Sequence, residues 1–142
     1  MKEATPLLHA HAQELEDPRF GPLDPDWHNI FDAERRGLLK CLTVRVSGLL
    51  VGYAVWAFYT HPFFKSKPIA RVMAFYVDPL YREGWIGYKL FKRSAKDLKG
   101  LGVLRIDFIP KDHFQAHKGG VAKLFKRLGA EAIETCWSIF NG

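Results

Sequence analysis

The stretch FYVDPLYREGWIGYKLF, Phe75 to Phe91, constrains the fold more than any other part of the chain. It runs from an apolar, strand-like segment through a turn at Asp78-Pro79 into residues with helical spacing. A helix entered directly from a buried strand presents unpaired N–H groups and the positive end of its dipole, so an anion in front of it is stabilised without a dedicated side chain. Gly84 and Gly87 let an anion approach the backbone, and Arg82 adds a charged fork. Trp85 stands where such a loop most wants glycine. A large side chain fits there only if the backbone keeps a negative φ and the indole points away from the anion.

The neighbouring segments extend the pattern. ARVMAFYV, Ala70 to Val77, is nearly all apolar and reads as a central strand. A helix from Trp85 or Ile86 carries Leu90, Phe91, Ala95 and Leu98 inward and Lys89, Lys92, Arg93, Lys96 and Lys99 outward, and Gly100 and Gly102 end it. VLRIDFI is then a strand reached by a helical crossover, which makes it a parallel neighbour of the central strand. Upstream, CLTVRVSGLLVGYAVWAFYT is a hairpin turning at Ser47-Gly48, followed by a loop, HPFFKSKP. Before it, Thr5 to Glu16 has helical spacing with Leu8, Ala12 and Leu15 on one stripe. DPRFGPLDPDWHN is a loop, and IFDAERRGLL a second helix ending near Gly37. At the far end GGVAKLFKRLGAE is a last helix stopped at Gly129 and AIETCWSIF a closing strand. The fold class is α/β: a mixed, mostly antiparallel sheet with a central parallel strand pair, flanked by about four helices, in one domain over 1–142.

A chain of 142 residues can bury a core without metals or disulfides. Cys41 and Cys136 have no metal-ligand spacing and point to a reducing, cytoplasmic compartment. The longest apolar run, Gly48 to Tyr59, is too short to cross a bilayer, and no signal-peptide pattern opens the sequence, so no membrane association is expected. The net charge of +6 is unevenly spread: Glu14 to Glu34 holds seven acids and one base, whereas Arg35 onward holds nineteen Lys and Arg against seven acids. An acidic arm precedes a basic body.

In register from Val77 to Gly87, the sequence V-D-P-L-Y-R-E-G-W-I-G resembles the central motif of the GNAT superfamily of acyl-CoA-dependent N-acyltransferases, V-x-P-x-x-R-x-x-G-x-G or A after a strand. AKLFKRLGAE is similar to the family's late segment A-x-x-L-Y-x-K-L-G-F, and the order of elements matches a GNAT-like fold. Within the family the chain looks most similar to short proteins often encoded by bacteriophages, which would place it in a host cytoplasm. The resemblance implies acetyl-CoA or coenzyme A as cofactor, with the backbone of Phe75, Tyr76 and Val77 pairing with the pantetheine arm as an added strand. The N–H groups of Arg82, Glu83, Gly84, Trp85, Ile86, Gly87 and Tyr88 would hold the pyrophosphate. Phe125 stands where many members carry a tyrosine that protonates the departing thiolate, a task a phenyl ring cannot perform. The implied reaction is direct attack of a primary amine on the thioester in a ternary complex, and a homodimer is compatible with the resemblance.

An ammonium with a pKa near ~10.4 must lose its proton before it attacks. The family often places a glutamate on the central strand, where this sequence has Arg71 and Met73. His61, Asp107 and Tyr76 are the remaining candidates for the catalytic polar groups, with His113 or His117 beyond them. His113 and His117 are spaced i, i+4 but lack the glutamate of HExxH and a third ligand, so no metal is expected. Glu14, Asp24 and Asp26, with Trp27 beside them, form an acidic cluster that would draw a cationic small-molecule or protein amine. Two other classes compete. The missing tyrosine and glutamate favour a non-catalytic or virion-associated binding protein. A nucleic-acid binder stacking bases on Phe63 and Phe64 fits less well, because the basic residues lie partly on cofactor-facing segments.

Overall fold

A computed structural model describes residues 3–109 and 125–133. The chain divides into two compact units, 1–108 and 109–142. In the first, helices α1 (Thr5–Leu15) and α2 (Trp27–Arg35) precede strands β1 (Leu39–Val46), β2 (Leu49–His61) and β3 (Phe64–Val77), followed by helix α3 (Ile86–Gly100) and strand β4 (Arg105–Asp107). The strands form one sheet in the order β1-β2-β3-β4, antiparallel except for the parallel β3/β4 pair.

Ser47 and Gly48 turn the β1/β2 hairpin with φ of 49° and 85°, the left-handed pair that a tight right-twisted hairpin requires. α3 closes with Gly102 at φ 80°, its N–H on Lys99 O while Val103 N–H reaches Leu98 O. This 5→2 and 6→1 pattern recurs after α2 at Gly37 and Leu38, and in the second unit at Gly129 and Ala130 around the helical turn 125–127. Each expected helix stop is therefore met by a glycine placed for it.

Three expectations are corrected. β3 begins at Phe64 rather than Ala70, because the long β2 offers partners as far as His61, and the expected HPFFKSKP loop shrinks to a turn at 62–63. α2 starts at Trp27, where the Asp26 carboxylate accepts from Asn29 N–H at 3.0 Å and caps the helix, and ends at Arg35 because Leu39 already belongs to β1. α1 buries Leu7 and His11 rather than the Leu8, Ala12, Leu15 stripe; a hydrogen bond from His11 to the sheet sets its rotation. The last helix before 125 and the closing strand after 133 lie outside the described residues.

The sheet carries a different core on each face. On one, buried Trp56 packs edge-on against Phe91 of α3 and against Phe108. On the other, Tyr53 and Tyr76 sit opposite each other on β2 and β3 and receive Leu7 and His11 of α1. Gly52 lets β2 and β3 close at the Val77 end: a Cβ there would lie 2.8 Å from Tyr76 O and 2.9 Å from a Val44 methyl.

Candidate active site

β4 pairs with only Ile69 to Arg71 of β3, so among the described residues the edge of β3 from Val72 to Val77 has no strand beside it. At the point of divergence the β2/β3 register passes from Val55↔Ala74 to Trp56↔Val72, leaving Met73 as an unpaired, exposed bulge residue. Asp78 N–H bonds Val51 O at 2.8 Å. Antiparallel alternation from that bond points the backbone groups of Tyr76 and Ala74 toward β2 and those of Phe75 and Val77 toward the open edge. The sheet thus forks, and the fork lies beside the start of α3.

That start carries no side-chain cap. Tyr81 N–H and Arg82 N–H are taken by Asp78 O and Pro79 O, and the next bond of the helix ladder is Lys89 N–H to Trp85 O. The N–H groups from Glu83 to Tyr88 lie between them, at the positive end of a fifteen-residue helix. Neither Gly84 nor Gly87 has a positive φ, and an added Cβ would meet nothing within 4 Å at Gly84 and only a Val77 methyl at 3.9 Å at Gly87. Both glycines therefore keep space open in front of the helix rather than satisfying the backbone. Trp85 obeys the condition set by its size: φ is −83°, and the exposed indole packs edge-on against Tyr88.

Arg82 behaves differently from the free fork expected of it. Its Nη1 and Nη2 donate to the two Glu14 carboxylate oxygens at 2.5 and 2.6 Å, and its Nε donates to Val77 O at 2.7 Å. Tyr76 Oη donates to Glu14 at 3.0 Å, the Arg82 guanidinium lies over the Tyr76 ring, and the His11 ring stacks on the same Tyr76 ring. His11 Nδ1 meets Tyr53 Oη at 2.5 Å. α1 is thereby tied to the strand end and to the loop before α3. Burial, then the bond to Glu14, pushes the Tyr76 hydroxyl up to about 12, and the Glu14 carboxylate raises Arg82 above its ordinary value. Burial raises Tyr53 further still. The sequence reading missed His11 and Tyr53, since a histidine at helical spacing and a tyrosine in an apolar strand carry no motif.

The other candidates are scattered. His61 lies at the opposite end of β3, across from Phe64, and accepts from Phe63 N–H at 3.2 Å. Nine residues of β2 separate it from Gly52, the partner of Val77, which at ~3.3 Å per residue is roughly 30 Å. Asp107 accepts from Tyr59 Oη at 2.7 Å and Arg105 Nη2 at 3.0 Å, with Arg71 Nη2 at 3.7 Å. Of the acidic cluster, Glu14 holds Arg82 and Asp26 caps α2, while Asp24 is exposed and Trp27 stacks on Phe31. Phe125 belongs to the second unit, where its carbonyl accepts from Leu128 and Ala130. His113 and His117 lie outside the described residues. No group of His, Cys, Asp and Glu that could hold a metal occurs among the described residues. A surface depression of about 480 Å³ lies elsewhere, along Glu34, Leu39, Phe58 and Leu101.

A forked mixed sheet with an uncapped helix start at the fork is a frame for an extended ligand that ends in phosphates. The acetyltransferase (GNAT) family model matches residues 6–130, and the chain belongs to that family. In structure it is similar to a ribosomal-protein-alanine N-acetyltransferase from Brucella melitensis biovar Abortus 2308, at 23% identity and TM-score 0.74, covering 99% of this chain and 90% of that one. An acetyltransferase from Trypanosoma brucei aligns at 18% identity and TM-score 0.73, over 99% and 94% of the two chains. A predicted acetyltransferase from Clostridium acetobutylicum, solved with acetyl-CoA, aligns at 15% identity and TM-score 0.68, over 99% and 90%. No curated protein sequence matches the chain. These neighbours lend the narrower likeness to phage proteins no support.

Proposed function

We propose that the protein is an acetyl-CoA-dependent N-acetyltransferase acting on a primary amine. The observation that carries this reading is the coincidence, at one end of β3, of an open strand edge and an uncapped helix start. Phe75 and Val77 would pair with the pantetheine amides as a strand added to the fork. The N–H groups from Glu83 to Tyr88 would receive the pyrophosphate, with Arg82 bracing the loop through Glu14 rather than reaching the phosphates. The thioester end of the arm would then point along β3 toward Met73.

The amine nitrogen attacks the thioester carbonyl, the C–S bond breaks, and one amine proton ends on the sulfur, giving an amide and free thiol. Among the described candidates, Tyr76 is held as a neutral donor to Glu14, Asp107 is bound by its own donors, and His61 lies at the far end of the β2/β3 pair, so none of these three is placed to take the ammonium's first proton, which in this reading goes to solvent before attack. The chain's contribution is to position the two partners. A rate that rises with pH up to the acceptor's own amine pKa supports this; a bell whose acidic limb is fixed across acceptors, and lost in His61→Ala, contradicts it.

A second reading, a binding protein on the same scaffold, is favoured by Phe125 in place of a tyrosine and by Met73 at the bulge. Calorimetry with acetyl-CoA, followed by thiol release with an amine panel, separates the two. Binding with turnover supports the enzyme, binding without turnover the second reading, and no binding rejects both.

A further inference from the structure

The hairpin of β2 and β3 runs past its neighbours in the sheet. β1 pairs with β2 only as far as Ala57, and β4 pairs with β3 only from Ile69. Among the described residues, the stretch from Thr60 to Lys67 therefore has no third strand beside it. Its tip lies at the far end of the pair from the start of α3.

Aromatic rings and cations meet at this tip. Phe63 and Phe64 are 85% and 61% exposed, and the His61 ring lies against both, with centroids 5.7 and 5.1 Å away. His61 Nδ1 accepts from Phe63 N–H at 3.2 Å, which ties the histidine to the turn. Rings so exposed add little to the core, and adjacent ones form an apolar patch that a partner can cover. Beside them the register steps from His61↔Phe64 to Thr60↔Pro68, so Lys65, Ser66 and Lys67 have no partner on β2, and both lysines are exposed. The sequence from Arg35 to Val77 holds seven Lys and Arg and no acid, so neither strand of the hairpin supplies a carboxylate to neutralise the tip.

We propose that this tip binds single-stranded nucleic acid, with bases stacking on Phe63 and Phe64 and phosphates meeting Lys65 and Lys67. Aromatic faces set beside cations fit a ligand that alternates flat π faces with negative charges. A duplex keeps its base faces stacked inside and offers the tip only phosphates. An acidic protein surface satisfies the lysines but leaves the two rings unmatched. An anionic bilayer takes both, but seating the rings in it draws the unpartnered backbone of Lys65 to Lys67 toward a layer that cannot solvate it. These lysines are remote from the start of α3, so the site stands apart from the proposed acetyl transfer.

The test is fluorescence anisotropy of a labelled oligothymidylate of about twelve nucleotides, titrated with the full-length protein. The expected result is saturable binding at low salt, at least about tenfold tighter than to the duplex with oligodeoxyadenylate. Phe63→Leu and Phe64→Leu, which keep apolar bulk but lose the stacking face, each weaken it by about tenfold, whereas Phe63→Trp retains it. Lys65→Gln with Lys67→Gln makes the slope of log affinity against log salt shallower by about 1.4, the value for two phosphate contacts on a single strand. Melting temperatures stay at the wild-type value, because the altered side chains are exposed. No binding at low salt, equal or tighter binding of the duplex, unchanged affinity in the leucine variants, or an unchanged salt slope overturns the proposal. So does binding to phosphatidylserine vesicles in place of the oligonucleotide.

Discussion

Glu14→Gln removes the charge at the centre of the network joining α1 to the phosphate-facing loop while keeping its shape. The carboxylate accepts two guanidinium bonds at 2.5 and 2.6 Å and a phenol at 3.0 Å; the amide has one oxygen and turns two N–H donors toward groups that also donate. A hydrogen bond to a charged group contributes about 1.5–3 kcal/mol. The side chains are 29% and 19% exposed, so solvent screening places the expected loss at the lower end, about 1–2 kcal/mol. For a chain of this length that lowers Tm by roughly 3–8 °C. Loss of the brace also loosens the loop, and coenzyme A affinity falls about three- to tenfold, since roughly 1 kcal/mol of preorganisation is lost. Thermal unfolding and calorimetry of Glu14→Gln, Arg82→Met and the double variant form a cycle. The predicted coupling between the two sites is about 1 kcal/mol or more. Additive effects, or tighter coenzyme A binding in Glu14→Gln, would refute the reasoning: the first means the pair does not act together, the second that Glu14 withholds Arg82 from the phosphates.

Other consequences follow from single positions. Gly52→Ala forces a methyl against the Tyr76 carbonyl and the Val44 side chain, and chemical denaturation is expected to show a loss of about 1–3 kcal/mol. Trp85→Gly leaves the melting temperature within a degree or two, because the indole is exposed and glycine is the better N-cap, and it keeps or improves coenzyme A affinity. Burial, and then the Glu34 carboxylate, pushes the Cys41 thiol up to about 11, so in a Cys136→Ser variant its alkylation at pH 8 is slower than that of the unfolded chain, by roughly the hundredfold that two pKa units imply. Cys41 and Tyr76 both keep their protons to higher pH in the native state than when unfolded. The native state then binds more protons between roughly pH 9 and 12, and stability, fully present below about pH 9, falls as pH rises through that window. A urea midpoint that is flat from pH 8.5 to 10.5 contradicts this.

Local chemistry explains what could be read in advance. Ser47-Gly48, Gly37, Gly102 and Gly129 mark turns and helix ends because their backbone angles favour these residues, and the phase of α3 follows from its single apolar face. The strand–turn–helix junction is legible for the same reason. The network at its base is not: whether Glu14 meets a substrate or Arg82 depends on the rotation of α1, which is fixed by His11 finding Tyr53 some forty residues away. The start of β3 at Phe64 depends likewise on how far β2 extends beside it. His61 looked chemically suitable in sequence, but it lies nine residues along β2 from Gly52, the partner of Val77, at the far end of the β2/β3 pair from the start of α3. The acidic arm read as a recruiting surface because sequence shows charges without their partners.

The central claim is that coenzyme A is seated with its phosphates at the start of α3, and Gly84 offers the most direct test. An added Cβ there meets nothing within 4 Å among the described residues and φ is not positive, so Gly84→Trp should fold with a melting temperature close to the wild type's while filling the space before the helix. Calorimetry with acetyl-CoA is predicted to give saturable one-to-one binding for the wild type and none measurable for Gly84→Trp. Equal affinity in the two proteins, or no binding by the wild type, would contradict the account.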